Sequence, residues 1–254
     1  MARFLKRPTG RIVGRACAIG GAAARLAIGG VVATGLIVQS AQAQSYCATS
    51  VLPTRFQTAA FGAPMRYAVQ TTPAGRVLVA SGEIRVGEGQ RLAQAIASAG
   101  SISEVWLNSP GGVLTEGMAM GRALRKSGIL TRVANGNACV SACTFAFLGG
   151  PIRIIDGDAY YGVHMFSRYF DMDQVISYLD AIKAYVEAND AKGLQSFLMR
   201  QEQLNAQLAA ECAKYLVEMS ASLEFLTGTF GQRQTGICYL SRDGMIRYNV
   251  VNAS

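Results

Sequence analysis

Short apolar runs alternate with amphipathic stretches along residues 76–170. A short apolar run favours a buried strand, whereas apolar residues repeated every three or four positions favour a helix. Strands are therefore predicted at 76–84, 105–107, 130–133, 153–155 and 160–164. Helices are predicted at 89–99, after the glycines at 111 and 112, and at 141–148. The alternation indicates an α/β fold with a mostly parallel sheet and crossover helices.

The pattern changes on either side of this region. Residues 44–74 contain three prolines and are predicted to be irregular. Apolar residues at helical spacing predict two amphipathic helices within 172–219, which would form a helical extension on the α/β part. Residues 239–251 are predicted to close the chain with a short strand and a turn.

Residues 1–43 have the composition of a secretory signal. They contain six basic residues and no acid, and the small-x-small site Ala41-Gln42-Ala43 predicts cleavage after Ala43. The alternative is an uncleaved membrane anchor, but the apolar stretch at 26–38 is short against the roughly 20 residues that cross a bilayer. The predicted mature chain is one domain, residues 44–254. We expect it to be periplasmic or secreted, with membrane contact only through an uncleaved signal.

The leader also accounts for the basic charge of the chain. Lys and Arg number 24 against 16 Asp and Glu, a net charge of +8. Without the leader the net charge is about +2, so nothing basic remains to favour a nucleic-acid partner. The chain has a single histidine, and its cysteines match no common zinc spacing. Neither a metal nor another cofactor is expected.

Five cysteines follow the predicted cleavage site, and an exported chain meets oxidising conditions in which disulfides form. We expect Cys139 to pair with Cys143 and Cys47 with Cys238. The alternative for the first pair is two buried thiols. Because five is odd, one thiol is expected to stay free or to pair between chains.

Residues 108–112, Asn-Ser-Pro-Gly-Gly, stand where a predicted strand gives way to a helix. Such a turn exposes unpaired backbone N–H groups, and two of them aimed at one point would stabilise an oxyanion. An ordinary strand-to-helix turn is the alternative interpretation of the same residues.

Two further residues carry candidate chemistry. Ser141 lies at the predicted start of a helix, where it is either a nucleophile or an N-cap. His164, the only histidine, ends a predicted strand, which is where sites form in parallel sheets, although a lone histidine also serves structural roles.

Taken together, residues 106–166 resemble the proteolytic subunit of the Clp protease and its relatives of the ClpP/crotonase fold. The Asn-Ser-Pro-Gly-Gly-Val segment at 108–113 is similar to the oxyanion segment of that family. Its second glycine precedes Ser141 by 29 positions, and Ser141 precedes His164 by 23, intervals close to those of the family. Weaker similarities occur at 81–84 and 239–243.

The resemblance implies an exported serine peptidase with stacked ββα units. Ser141 would be the nucleophile and His164 the general base, while the N–H groups of Gly112 and Ala142 would form the oxyanion hole. The implied reaction is acyl transfer to a covalent acyl-enzyme and then hydrolysis, with a peptide or protein as substrate. A homo-oligomer is also compatible with it.

The sequence departs from the family in its third catalytic residue. The family has an aspartate in the C-terminal region, whereas here no carboxylate lies between Glu224 and Asp243. Asp171 and Asp173 are near His164 in sequence and are the alternative acids. A triad that loses its acid can lose several orders of magnitude in rate.

This departure keeps other functions open. One is a catalytically weak or inactive scaffold that forms oligomers through the helical extension at 172–219, which is longer than in the family and could also act as a lid. Another is a Ser/Lys peptidase similar to signal peptide peptidase A, with Lys126 or Lys183 as the base. A crotonase-type acyl-CoA enzyme is disfavoured, because CoA is not expected outside the cytoplasm.

Overall fold

Strands and helices alternate through the centre of the chain, and a helical hairpin follows. The computed structural model describes residues 46–56, 62–73, 75–166, 172–231 and 236–253; the predicted signal at 1–43 lies outside them. The strands are β1 (Cys47–Thr49), β2 (Arg66–Thr72), β3 (Gly75–Ser81), β4 (Glu104–Asn108), β5 (Leu130–Val133), β6 (Ala138–Val140), β7 (Arg153–Ile155), β8 (Tyr160–Val163) and β9 (Cys238–Leu240). The helices are α1 (Glu88–Ser98), α2 (Leu114–Ser127), α3 (Ala142–Leu148), α4 (Met172–Glu187), α5 (Ala191–Glu218), α6 (Glu224–Phe230) and α7 (Arg242–Arg247).

The first sheet has five strands in the order β2-β3-β4-β5-β7. Strands β3, β4, β5 and β7 are parallel neighbours, as the strand–helix alternation predicts. Strand β2 pairs antiparallel with β3 and β1 pairs with β9, so the prediction of an irregular segment at 44–74 is wrong for residues 66–72 and 47–49. Most of β2 is exposed, and its side chains therefore give little hydrophobic signal.

The second sheet has four strands in the order β1-β9-β8-β6. Strands β6 and β8 are parallel, whereas β9 runs antiparallel to both β8 and β1. The α/β class is therefore confirmed, but the described strands form two sheets of mixed pairing. Strand β6 is only three residues long, and sequence reasoning missed it.

Helix α2 packs closely on α3, because two glycines one turn apart leave no side chain between them. A Cβ on Gly117 would overlap the carbonyl oxygen of Ala142, and one on Gly121 would meet the hydroxyl of Tyr215 and the carbonyl of Phe145. This close contact between α2 and α3 fixes the first turn of α3, which directly follows Ser141.

Helices α4 and α5 form an antiparallel hairpin within the predicted extension. Rings of α4 pack on Phe197 of α5, with centroids 5.3 Å from Tyr178 and 5.7 Å from Tyr185. Helix α4 has no buried residue, whereas the last turns of α5 enter the core through Tyr215 and Leu216. None of the helices in the described ranges has both the length and the apolar character that a bilayer crossing requires.

Buried Arg153 ties the C-terminal segment to the rest of the domain. It is 1% exposed, and its guanidinium donates hydrogen bonds to backbone carbonyls only. The acceptors are Leu148, Gly150, Met219, Asn249 and Val250. Burial lowers the pKa of this guanidinium, because the charged form loses its hydration.

Candidate active site

The turn at 108–112 joins the two sheets. The side-chain oxygen of Asn108, at the end of β4, accepts a hydrogen bond from the N–H of Ala138 at 3.2 Å. Ser109 is buried, donates its N–H to the carbonyl of Ala138 at 2.8 Å and accepts from the N–H of Val140 at 3.0 Å. The turn is thereby fixed against β6, the strand that leads into Ser141.

Both glycines of this turn are required by backbone angle and by space. Gly111 has a φ of +98° and Gly112 a φ of +137°, values that side-chain-bearing residues rarely adopt. A Cβ on Gly111 would lie 2.6 Å from the Cβ of Ser141, and one on Gly112 would overlap the carbonyl oxygen of Ile84. The turn therefore packs directly against Ser141.

Ser141 stands at the sharp turn between β6 and α3. Its φ of 55° and ψ of −124° lie outside the left-handed helical well, where ψ is about +47°. Its N–H donates to the carbonyl of Gly162 at 2.9 Å, and its own carbonyl accepts from the N–H of Thr144 at 2.9 Å. Its hydroxyl makes no capping hydrogen bond, so Ser141 does not act as an N-cap through its side chain. A serine on a strained strand-to-helix turn is the arrangement of a hydrolase nucleophile.

The predicted oxyanion donors lie beside this serine. Gly112, Ala142, Ser141 and His164 all line one narrow cleft. In the part of the chain that the structure describes, the N–H groups of Gly112 and Ala142 have no hydrogen-bond partner. Ala142 is the first residue of α3, where an N–H has no acceptor within the helix. The cleft thus offers two unpaired donors beside the serine, and one such donor contributes about 3 kcal/mol in a hydrolase.

His164 follows β8 and is half-buried. Its Nδ1 lies 2.8 Å from the carbonyl oxygen of Met165. Because a carbonyl oxygen only accepts, the neutral ring holds its proton on Nδ1 and keeps a lone pair on Nε2. No direct hydrogen bond joins Ser141 to His164 among the described residues; in unliganded sites such bonds are often long. The ring nevertheless has the tautomer that a general base requires.

Only one of the two alternative acids, Asp173, lies within the described residues, and no hydrogen bond joins it to His164 there. Asp173 is exposed in the first turn of α4, and Asp171 lies outside the described residues. The described partner of the His164 ring is the backbone of Met165 instead. Sequence reasoning missed this partner, because a backbone carbonyl has no residue signature.

The two lysines proposed as alternative bases are exposed and lie outside the cleft lining. Lys126 is exposed near the end of α2, about 18 Å along the helix from Leu114 at its start. Lys183 is exposed on α4 and pairs with Glu187 at 3.7 Å. Neither lines the cleft, so the geometry favours His164 over a lysine as the base.

Apart from Ser141 and His164, the cleft is lined by apolar residues and by two threonines, Thr144 and Thr229. Leu114, Phe145 and Phe166 line it together with the reactive groups, and Phe166 packs edge-on against Phe230 at 5.0 Å between centroids. Leu114 also lines a groove of about 760 Å³ that runs between the start of α2 and α5. The cleft around Ser141 and this larger groove therefore share Leu114 as a wall residue.

A separate cavity of about 780 Å³ shares no lining residue with this cleft. Arg132 in its wall is already paired, with Glu104 at 2.6 Å and with Asp156 at 2.7 Å. The hydrogen bond from Arg132 lowers the pKa of Glu104, which keeps that carboxylate ionised. Arg132, Glu104 and Asp156 therefore form a network of ion pairs with a structural role.

Both expected disulfides are present. Cys47 pairs with Cys238, which ties β1 to β9, and Cys139 pairs with Cys143 across Ser141. Cys212 is the free thiol of the described residues, and burial raises its pKa to about 12. Two disulfides are consistent with an oxidising compartment.

Comparisons with known proteins add little to this geometry. No protein-family model matches the chain, and no curated protein matches it. A solved structure of a ClpP1 mutant from Listeria monocytogenes is similar, with 17% sequence identity and a TM-score of 0.42. The match covers 69% of this chain and 88% of that one.

Proposed function

We propose that this protein is an exported serine peptidase of the ClpP/crotonase type, built from stacked ββα units, which hydrolyses peptides by acyl transfer. The observation that carries the proposal is a shared cleft: Ser141, at a positive φ, lines it together with His164 and two unpaired N–H groups. Export is supported by the signal-like composition of residues 1–43 and by the two disulfides.

In the first half of the reaction, the Oγ of Ser141 attacks the carbonyl carbon of the scissile peptide. The Nε2 of His164 takes the hydroxyl proton as the bond forms. The N–H groups of Gly112 and Ala142 stabilise the negative charge that develops on the carbonyl oxygen. His164 then returns the proton to the leaving amine, which leaves an ester on Ser141.

In the second half, water replaces the amine. His164 accepts a proton from the water as its oxygen attacks the ester carbon, and the same N–H groups stabilise the second oxyanion. Collapse of this intermediate breaks the bond to Ser141 Oγ, which regains the proton from His164. The products are the carboxylate fragment and the free enzyme.

The carbonyl of Met165, the described hydrogen-bond partner of the His164 ring, takes the orienting role that an acid has in a triad. In a serine protease, replacing the acid by an amide that imposes the wrong tautomer costs about 10⁴-fold in rate. A carbonyl acceptor keeps the right tautomer, since it accepts the Nδ1 proton. It carries no full charge and stabilises the imidazolium less than a carboxylate would, so we expect a slow peptidase.

The substrate class is proposed from the space next to Ser141. The narrow cleft holds the reacting carbonyl, and the residues that flank it need the groove that shares Leu114. Aliphatic side chains, among them Val113, Leu204 and Leu208, make up most of its lining, and the polar lining residues are Thr115, Gln174, Gln207 and Glu211. An extended, largely apolar peptide segment fits these walls.

An inactive scaffold is the second candidate, and one observation favours it. Helix α4 exposes an apolar stripe on its outer face, with Met172 at 69%, Ile176 at 49%, Leu179 at 56% and Val186 at 62% exposure. Such a stripe is typical of a helix that packs on a partner, and a homo-oligomer would bury it. Oligomerisation is compatible with either candidate.

Labelling with a fluorophosphonate tests the catalytic role of Ser141. The oxidised full chain is compared with Ser141→Ala and His164→Ala, with Ser177→Ala, an exposed serine on α4, as the matched control. The wild type and Ser177→Ala should label stoichiometrically. Ser141→Ala should not label, and His164→Ala should label at least about 100-fold more slowly.

Each other outcome has a defined meaning. Absence of labelling in the folded wild type between about pH 6 and 9 contradicts the peptidase and supports the scaffold. Full labelling of His164→Ala removes the histidine from the mechanism. Equal labelling of Ser141→Ala assigns the reactive serine elsewhere.

A further inference from the structure

The Cys139–Cys143 disulfide brackets the proposed nucleophile. Cys139 lies two residues before Ser141 in β6, and Cys143 two residues after it in the first turn of α3. Both cysteines are fully buried. The bond therefore closes a small ring whose middle residue is Ser141.

The backbone inside this ring is in a conformation that side-chain-bearing residues avoid. Ser141 has a φ of 55° and a ψ of −124°, and such a residue persists only where its surroundings hold it. Two backbone hydrogen bonds fix it, to Gly162 on one side and from Thr144 on the other. Water can replace either of these partners when the turn opens, whereas the covalent ring stays closed.

We propose that the Cys139–Cys143 disulfide is a positioning element for Ser141, which holds the strained turn so that the site is competent only in the oxidised protein. The activity part of this inference rests on the proposed function. The conformational part does not, because it concerns the backbone of Ser141 alone.

Reduction of the Cys139–Cys143 disulfide should inactivate the site. A dithiol such as dithiothreitol gives two electrons to the bond, the S–S bond breaks, and each sulfur takes up a proton. The dithiol becomes a cyclic disulfide, which balances the exchange. With the ring open, the turn can relax towards an ordinary helix start and withdraw the serine.

The other disulfide is the matched control. Cys47–Cys238 joins β1 to β9 across a sequence separation of 191. Neither cysteine lines the cleft around Ser141. Its loss should destabilise the domain without changing the turn.

The test is a thermodynamic cycle in the full chain. Ser141→Gly is measured alone, with C139A/C143A and with C47A/C238A, and each Tm is compared with that of its parent. Glycine adopts the positive φ freely, so it should raise Tm by about 2–4 °C in the wild type and in C47A/C238A. With C139A/C143A the turn has relaxed, so the gain should be less than about 1 °C. An equal gain in all three backgrounds overturns the proposal.

The activity arm separates this inference from the proposed function. C139A/C143A should label at least about 10-fold more slowly with fluorophosphonate than C47A/C238A, below the Tm of both. Coupling in the Tm cycle without labelling of the wild type keeps the positioning role and refutes the peptidase. Labelling of the wild type with no coupling keeps the peptidase and refutes the positioning role.

A wild-type measurement covers the case in which a double variant does not fold. Dithiothreitol is raised stepwise, and the pair that has opened is identified by alkylation and mass. Cys47 is partly exposed, so its disulfide should open first, with labelling retained. Labelling should be lost when Cys139 and Cys143 become alkylated. Full labelling of a folded chain with both of these alkylated overturns the proposal.

Discussion

The contact between the glycine turn and the nucleophile turn makes Gly111→Ala a sharp test of the site. The added Cβ would lie 2.6 Å from both the Cβ of Ser141 and the carbonyl oxygen of Val140, and 2.9 Å from the nitrogen of Ala142. Ordinary contacts begin at 3.4 Å, so one turn must move by roughly 0.8 Å. Every atom in the way belongs to residues 140–142, which carry Ser141 and one proposed oxyanion donor, the N–H of Ala142.

Gly136 provides a matched control. Its φ is +78°, similar to the +98° of Gly111, but a Cβ there meets no atom within 4 Å. Gly136→Ala should therefore cost about 1–2 kcal/mol, the penalty of a left-handed alanine alone. Gly111→Ala should lose a further 1–3 kcal/mol or so for the overlap.

Gly111→Ala and Gly136→Ala should differ more in their rate of fluorophosphonate labelling than in their free energy of unfolding. A displacement near 1 Å in a catalytic site costs about 100-fold in rate. Fluorophosphonate labelling of Gly111→Ala should therefore slow by about that factor, while Gly136→Ala should label like the wild type. The unfolding free energies come from urea titration. Equal labelling rates in the two folded variants would show that the Gly111 turn does not position the site.

Three further predictions concern stability. Arg153→Met should lower the free energy of unfolding by about 3–5 kcal/mol in urea titration, because buried carbonyl oxygens lose their donor; a loss under 1 kcal/mol would contradict this. Loss of the Cys47–Cys238 disulfide in C47A/C238A should lower the free energy of unfolding by about 5 kcal/mol, because the bond closes a long loop in the unfolded chain. An unchanged urea midpoint would refute this loop-entropy argument. Burial raises the pKa of the Cys212 thiol from 9.0 to about 12, so thiolate formation favours the unfolded chain and stability falls as pH rises from 9 to 12. Cys212→Ala should lose less stability than the wild type over that range, and parallel pH profiles would exclude the thiol as the cause.

Hydrophobic periodicity predicts the central elements well, because each buries one continuous apolar face. The run Leu130–Val133 is predicted and found as β5, and residues 153–155 as β7. Helix α2 follows the glycine turn as its spacing indicates, from Leu114 to Ser127. These elements are specified by local pattern and by the core together.

The elements that were missed have little apolar signal or are very short. Strand β2 is mostly exposed, so its pairing with β3 comes from backbone hydrogen bonds that no side chain reveals. Helices α6 and α7 have seven and six residues, too few for a helical period to stand out. Strand β6 is three buried residues between Asn137 and Ser141. In these cases the structure depends on backbone pairing or on packing with other elements, which a short apolar pattern does not reveal.

The candidate site divides in the same way between side chains and backbone. Ser141 and His164 can be found in the sequence because their chemistry is in their side chains. The two proposed oxyanion donors are backbone N–H groups, and only the glycine run hints at one of them. The ring acceptor for His164 is the carbonyl of Met165, a group that every residue possesses.

Among the described residues, the group that His164 contacts through Nδ1 is a backbone carbonyl and not a carboxylate. A scan for carboxylates assumes that the orienting group has a charged side chain, whereas tautomer selection needs only an acceptor within hydrogen-bond distance of Nδ1. A carbonyl oxygen is such an acceptor. Because it has no negative charge, it stabilises the imidazolium less than a carboxylate would. On this reasoning, a missing aspartate predicts a slower hydrolase and does not by itself predict an inactive one. The labelling rate of the wild type, compared with that of His164→Ala, measures how much base catalysis remains with a backbone acceptor.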